Sequence, residues 1–296
     1  MDIFDTHAHY DSRQFDEDRE MLLGAMTGPG GIAEDTEGAK DVHTGAAWTV
    51  RCAVNAGATF EGAEKSLELA HRYPGVYAAC GIHPDEVGEL EEEETAGSAS
   101  AADGESAGAG EKKYARLERM CRDPRCVAVG EIGLDYHWMV QSKELQQKWF
   151  IRQMALSEKV HLPINVHCRD AAADTFALIK AHHASSKEGG IIHCYSGSVE
   201  MAREYVKMGY HLGIGGVVTF KNGRVLKEVV REIPIEWLVT ETDCPYLAPE
   251  PFRGRRNDSR HIRYIIEAIA QIKGIGTEEA AGKLFDNALR VYRIRI

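Results

Sequence analysis

Two histidines open the chemistry of this chain. His7 and His9, in Asp5-Thr6-His7-Ala8-His9, stand at the end of the short apolar run Met1-Asp2-Ile3-Phe4. Alternate side chains of an extended backbone leave the same face, so both imidazoles point one way. Parallel imidazoles are poor core residues but good ligands for a borderline cation such as Zn²⁺. The pair alone carries little weight, because such histidines also occur on surfaces and in hydrogen-bonded cores. Further groups change that balance. Glu131 follows Cys126-Val127-Ala128-Val129-Gly130, His167 follows Pro163-Ile164-Asn165-Val166, and His193 follows Gly190-Ile191-Ile192. Asp243 comes just after Trp237-Leu238-Val239-Thr240. Taken singly, each has an ordinary reading, as a satisfied core histidine or as a loop cap before Pro245. Taken together, His7, His9, Glu131, His167, His193 and Asp243 exceed what one Zn²⁺ accepts, so the set suits two divalent metal ions. Zn²⁺, Mg²⁺ and Mn²⁺ all accept these donor types. Glu131 is the natural bridge, and Asp243 can hold a metal while taking a proton from the nucleophilic water.

For these groups to meet, the strands that carry them must share one end. Read in order, the chain offers apolar strand patterns at Met1–Phe4, Trp48–Ala53, Val76–Cys80, Cys126–Gly130, Pro163–Val166, Gly190–Ile192, Tyr210–Ile214 and Trp237–Thr240. Helical patterns separate them: Phe15–Met26, Thr59–Tyr73, Lys112–Arg122, Glu144–Val160, Asp170–His183, Ser198–Met208 and Gly223–Glu232. Two more, Arg260–Lys273 and Thr277–Arg293, close the chain. Thr59 and Ser198 are suited to cap their helices, and Pro74-Gly75 to stop one. This alternation argues for an α/β protein with a parallel sheet. Its eightfold repetition predicts a single (β/α)₈ TIM barrel over 1–296. An open doubly wound sheet fits less well, since no Gly-x-Gly-x-x-Gly follows the first strand. In a barrel the C-terminal strand ends converge on one face, where a metal site would form.

Composition sets the setting. The chain has 44% hydrophobic and 27% charged residues, as a soluble globular protein does. No apolar run approaches the roughly 18–20 residues that cross a bilayer. A basic-then-apolar leader is absent, so no cleaved signal is expected. Seven scattered cysteines without Cys-x-x-Cys fit reduced thiols, and hence a cytoplasmic protein. The net charge of −11 argues against a polyanionic partner at face value. However, nine acids and no Lys or Arg lie between Glu86 and Glu111, which leaves only −2 for the rest. Glu89–Gly110 reads as a mobile surface insertion and Gly28–Gly45 as an extended connection. Cys168, Cys194 and Cys244 each adjoin a proposed ligand. Strand alternation turns them outward, toward the helices, as buried inert thiols.

The combined motifs resemble the TatD family of metal-dependent deoxyribonucleases, a branch of the amidohydrolase superfamily. They are Asp5–His9, Gly81-Ile82-His83-Pro84, Gly130–Tyr136, His167-Cys168-Arg169-Asp170-Ala171 and His193-Cys194-Tyr195-Ser196-Gly197. Gly216–Asn222, Glu241–Pro249 and Phe252–Asn257 complete them, so the likeness runs through nearly the whole chain. The resemblance implies metal ligands at His7, His9, Glu131, His167, His193 and Asp243, with Glu131 and Asp243 catalytic. Glu131 stands where some other branches have a carboxylated lysine, which favours the TatD branch. The implied activity is hydrolysis of DNA phosphodiesters by a metal-activated water, as a 3′-to-5′ exonuclease on single strands. His83 and Tyr136 follow strand ends and are expected to line the pocket. Arg253, Arg255, Arg256 and Arg260 follow the last strand, and Arg169 and Lys221 follow two others; at a metal-site mouth these are read as phosphate contacts. No periodic aromatic platform is evident, so DNA is expected to be held mainly by its phosphates. A monomer without membrane contact or an obligate protein partner is expected. The rival readings are a hydrolase of an amide or ester, such as an aminoacyl-tRNA ester, and a non-catalytic binding protein. The complete ligand set speaks against the second.

Overall fold

Parallel strands covered on both faces need nearly continuous apolar runs, and the eight segments supply them. The computed structural model describes residues 1–26, 48–91 and 109–296. Its strands are β1 Asp2–Ala8, β2 Thr49–Gly57, β3 Val76–Cys80, β4 Cys126–Asp135, β5 Ile164–Arg169, β6 Gly190–Ile192, β7 Tyr210–Ile214 and β8 Leu238–Thr240. Each pairs in parallel with the next in sequence. A parallel bridge between Ala8 and Cys244 joins β1 to the segment after β8. There the His9 N–H donates to the Cys244 carbonyl at 2.8 Å, and the Asp243 N–H to the His7 carbonyl at 2.9 Å. The fold is the expected (β/α)₈ barrel.

The helices are α1 Arg19–Met26, α2 Phe60–Arg72, α3 Ala109–Cys121, α4 Lys143–Val160, α5 Ala172–His182, α6 Val199–Lys207, α7 Arg224–Glu232, α8 Ile262–Lys273 and α9 Thr277–Tyr292. Thr59 caps α2 by accepting from the Gly62 N–H at 2.9 Å, and Ser198 caps α6 by accepting from Met201. Ile262, Ile265, Ile266 and Ile269 form one buried stripe of α8 at helical spacing. Each such side chain contributes about 1.5–3 kcal/mol on burial. Most of the core lies between strands and helices. A second cluster fills the barrel itself, with Phe4, Val54, Tyr77 and Val239 meeting Ala288, Val291 and Tyr292 of α9. The last helix therefore seals the end opposite the strand C-termini. Tyr292 donates its hydroxyl to the Thr6 carbonyl at 2.8 Å and accepts from Asn165 Nδ2 at 2.9 Å.

Two boundaries need correction. β1, β4 and β5 continue past the apolar runs, so His7, Glu131 and His167 lie within strands rather than after them. Ladder hydrogen bonds come from the backbone and persist where inward side chains turn polar. Of the expected insertion, residues 92–108 lie outside the described residues, as does the whole Gly28–Gly45 connection. The insertion's borders are ordered, however: Leu90 is fully buried and α3 already begins at Ala109. Acidic neighbours had masked the packing of Leu90. No helix among the described residues is long and apolar enough to cross a membrane.

Candidate metal centre

At the strand C-termini the barrel interior changes from apolar to acidic and imidazole-rich. Both Phe4 and His7 face inward although three positions apart, an offset that strict alternation would place on opposite faces, and a register shift between Asp5 and Ala8 makes this possible. The Nε2 atoms of His7 and His9 stand 3.2 Å apart. Glu131 Oε2 lies 3.5 Å from the first and 3.6 Å from the second. Asp243 Oδ1 is 3.3 Å from His9 Nε2 and 3.6 Å from His193 Nε2. The His193 ring stacks on His7 at 3.6 Å, and its Nε2 is 3.9 Å from Glu131 Oε1. His167 Nδ1 lies 2.8 Å from that same oxygen. All the groups singled out as ligands in the sequence thus converge, and Glu131 sits among them with one oxygen toward each half.

These donors suit divalent cations. Two imidazole Nε2 atoms at hydrogen-bond distance can share only one proton, and His9 already donates its Nδ1–H to the Ala56 carbonyl at 2.9 Å. That bond fixes the ring and aims the Nε2 lone pair into the cluster. His7, His9 and Asp243 each bring a donor atom within 4.8 Å of the others, as do His7, Glu131 and His193. Burial opposes charge on Glu131, but the His7 and His167 imidazoles outweigh it and hold its carboxyl well below the usual carboxylate range. Burial likewise works against protonating His9, yet the Asp243 hydrogen bond and the Glu131 charge hold it up at about 10. The centre is an ionised acidic cluster, its charge balanced by imidazoles.

An outer layer, absent from the sequence reading, holds these rings. Asp135, buried two turns of pleat beyond Glu131, places Oδ2 3.1 Å from His167 Nε2. Burial resists its ionisation, but His167 and the Trp138 N–H lower it to about 2. Glu241, also fully buried, sets Oε1 3.1 Å from His193 Nδ1 and accepts the Cys194 N–H. Gly213 makes room for it, since a Cβ there would lie 2.3 Å from Glu241 Oε2. Gly133 does the same for β5: its φ is +147°, and a Cβ would collide with the His167 carbonyl. Asp5 accepts from Ser259 Oγ and Thr242 Oγ1, each at 2.6 Å, and from the Thr242 N–H at 3.0 Å, tying β1 to the segment after β8. A signal for the first was present: alternation along β4 puts Asp135 on the face of Glu131.

A family model described as TatD related DNase matches residues 4–293. The chain belongs to this family. It is 38% identical over 292 residues to YabD of Bacillus subtilis (strain 168), named an uncharacterized metal-dependent hydrolase, with 99% of both chains covered. It is 30% identical over 278 residues to the 3′-5′ ssDNA/RNA exonuclease TatD of Cronobacter sakazakii, covering 92% of this chain and 90% of that one. Among solved structures, YJJV, a TatD homologue from Escherichia coli K12, shares the fold. Its TM-score is 0.76 at 24% identity, over 99% of this chain and 98% of its own.

Around this TatD-type centre the rim residues divide. His83 stands edge-on against His167 with ring centroids 4.4 Å apart, and burial lowers it to about 4. Arg169 at the end of β5 and Lys221 and Arg253 on the loops after β7 and β8 are exposed, Arg253 lying over the Phe220 ring at 4.5 Å. Tyr136 corrects the expectation: its hydroxyl donates to Asp174 Oδ2 and accepts from Gln147, both at 2.8 Å, so it belongs to the helical layer. Arg256 does too. It grips both carboxylate oxygens of Asp18 and covers the Phe15 ring at 4.7 Å, and its charge is already matched. Arg260 is likewise held by Asp258 at 2.8 Å. The cysteine reading also needs revision. Cys244 is buried as expected, but Cys168 and Cys194 are only partly so, beside a cavity of about 310 Å³ that reaches His193. Cys194 has φ 46°, which breaks the strand alternation on which the outward reading relied. Burial nonetheless raises all three thiols, so none is a ready thiolate.

Proposed function

We propose that this metal-dependent hydrolase of the TatD family cleaves DNA phosphodiester bonds. One cation would be held by His7, His9, Glu131 and Asp243, and a second by Glu131, His167 and His193. Divalent ions bound there would stabilise charge on phosphoryl oxygens and make hydroxide available near neutral pH. Asp243 is suited to take the proton of the attacking water. Its side chain is 18% exposed, against 6% for Glu131 and none for Glu241, so it is the carboxylate that meets substrate and solvent. His9, braced by Ala56, keeps that carboxylate ionised. His83, neutral beside His167, can donate a hydrogen bond to a phosphate oxygen without adding charge. Arg169, Lys221 and Arg253 supply positive charge at the mouth.

The observation that carries this reading is the meeting of imidazoles from β1, β5 and the β6 end around Glu131. The test is degradation of a labelled single-stranded oligodeoxynucleotide by chelator-stripped protein, with Mg²⁺, Mn²⁺ or Zn²⁺ restored and Glu131→Ala alongside. Metal-dependent cleavage that is absent from the variant supports the reading. Failure to cleave with any metal, from protein shown to bind metal, overturns it and directs the search to amide and ester substrates. Label position distinguishes 3′-to-5′ exonuclease action from internal cutting.

A further inference from the structure

Trp138, Met139 and Val140 are three consecutive apolar residues on the loop after β4, exposed by 62%, 43% and 59%. Such a run on a soluble surface is a liability unless it is used. This one belongs to the rim of the metal centre. The backbone N–H groups of His137 and Trp138 donate to Asp135 Oδ1 at 2.9 and 3.0 Å, while Asp135 Oδ2 faces His167 at 3.1 Å. One carboxylate therefore anchors both the indole's backbone and a ring of the centre. The indole itself is held in place. His137 meets it edge-on at 4.8 Å, and His137 Nδ1 is tied to Asp170 of the next loop at 2.9 Å. The Arg169 guanidinium lies over the indole at 5.3 Å. Met139, at φ 49°, turns the chain sharply just beyond.

Resting on the nuclease reading above, we propose that Trp138, backed by Arg169, is the stacking face for an unpaired nucleobase next to the scissile phosphate. An aromatic face accepts any base, and the guanidinium beside it matches the adjoining phosphate. A base inside a duplex is already stacked on both sides and cannot use this face, so the platform selects single strands without reading sequence. It would add a base contact to a substrate expected to be held mainly by its phosphates. A single aromatic residue has no periodicity, and only the fold shows that it stands at the mouth.

The test uses the full-length protein. Cleavage of an oligothymidylate is compared with that of the same oligomer carrying abasic residues beside the scissile bond, for wild type, Trp138→Leu and Trp138→Phe. Equilibrium binding of both oligomers is followed by tryptophan fluorescence in excess chelator. In wild type, removing the bases is expected to raise KM on the order of 10- to 100-fold, the usual worth of one base stack. In Trp138→Leu that difference collapses, together with the quenching caused by the oligomer, whereas Trp138→Phe retains most of the discrimination. Wild type that treats both oligomers alike overturns the proposal, as does a leucine variant that still discriminates. If cleavage continues in either of those cases, the nuclease reading survives and the apolar loop is left as a protein-docking surface. If no DNA is bound or cleaved with any metal, the nuclease reading fails and the platform fails with it.

Discussion

Glu241→Gln isolates what the outer layer contributes. Glu241 is fully buried, with one oxygen 3.1 Å from His193 Nδ1 and the other without a hydrogen-bond partner among the described residues. Glutamine fills the same space, which Gly213 leaves open, and can still accept the Cys194 N–H. It no longer offers a negative charge to keep a proton on His193 Nδ1, so the Nε2 lone pair that faces Glu131 and Asp243 becomes less basic. Losing such a carboxylate–imidazole partner typically weakens metal binding 10- to 100-fold, or about 1.4–2.7 kcal/mol. Isothermal titration of chelator-stripped protein reads this directly. Two further readouts separate the effect from general damage. At saturating metal the turnover number should return close to wild type. In excess chelator, the variant should melt no lower than wild type, because a half-satisfied buried carboxylate has been replaced by a neutral group. Metal affinity within about twofold of wild type would refute this account of Glu241, and so would a large loss of stability in chelator.

Acid stability tests buried histidines away from the centre. His183 and His211 are both lowered by burial from 6.5 to about 4. Between these pH values the unfolded chain binds more protons than the folded one, so stability should fall as pH drops from about 6.5 to about 4. Neither ring nitrogen of His211 has a hydrogen-bond partner among the described residues, so His211→Phe should be neutral or stabilising at pH 7.5 and flatten that slope by one proton, measured by denaturant melts across the range. Arg256→Ala should cost about 1 kcal/mol of stability through its partly exposed pair with Asp18 and leave KM for DNA unchanged. A raised KM would return Arg256 to the substrate-binding set.

The inner groups were legible because a strand imposes a simple rule: alternate residues share a face, and in a barrel all strand ends share a mouth. His7, His9, Glu131, His167, His193 and Asp243 stand at or just past such ends, and the motif resemblance picked out the same six. Asp135 obeys the same alternation, but only the fold shows that it meets the imidazole of His167 from the next strand and that Glu241 meets that of His193 from two strands away. Arg256 was misread for a related reason. Its partner Asp18 is 238 residues away, and four neighbouring arginines in sequence do not reveal which of them meets an acid. Tyr136 follows a strand end just as a pocket residue would, yet Asp174 and Gln147 draw its hydroxyl outward. Cys194 escaped because its positive φ breaks the rule at the residue where the rule was applied.

The outer layer also explains how so acidic a centre is compatible with folding. Glu131, Asp135 and Glu241 are at most 4% exposed, and a buried carboxylate without a partner costs several kcal/mol. None of them lacks one. His167 serves Glu131 with Nδ1 and Asp135 with Nε2, while His193 faces Glu241 with Nδ1 and turns Nε2 to Asp243 and Glu131. Each of these rings links an outer acid to an inner one. Charge in the centre is therefore set by the outer acids as well as by the groups that would touch a cation. The same linkage extends through Asp135 to the backbone of Trp138 on the rim. A single carboxylate of β4 thus helps to position both an imidazole suited to hold metal and the indole proposed as a stacking face.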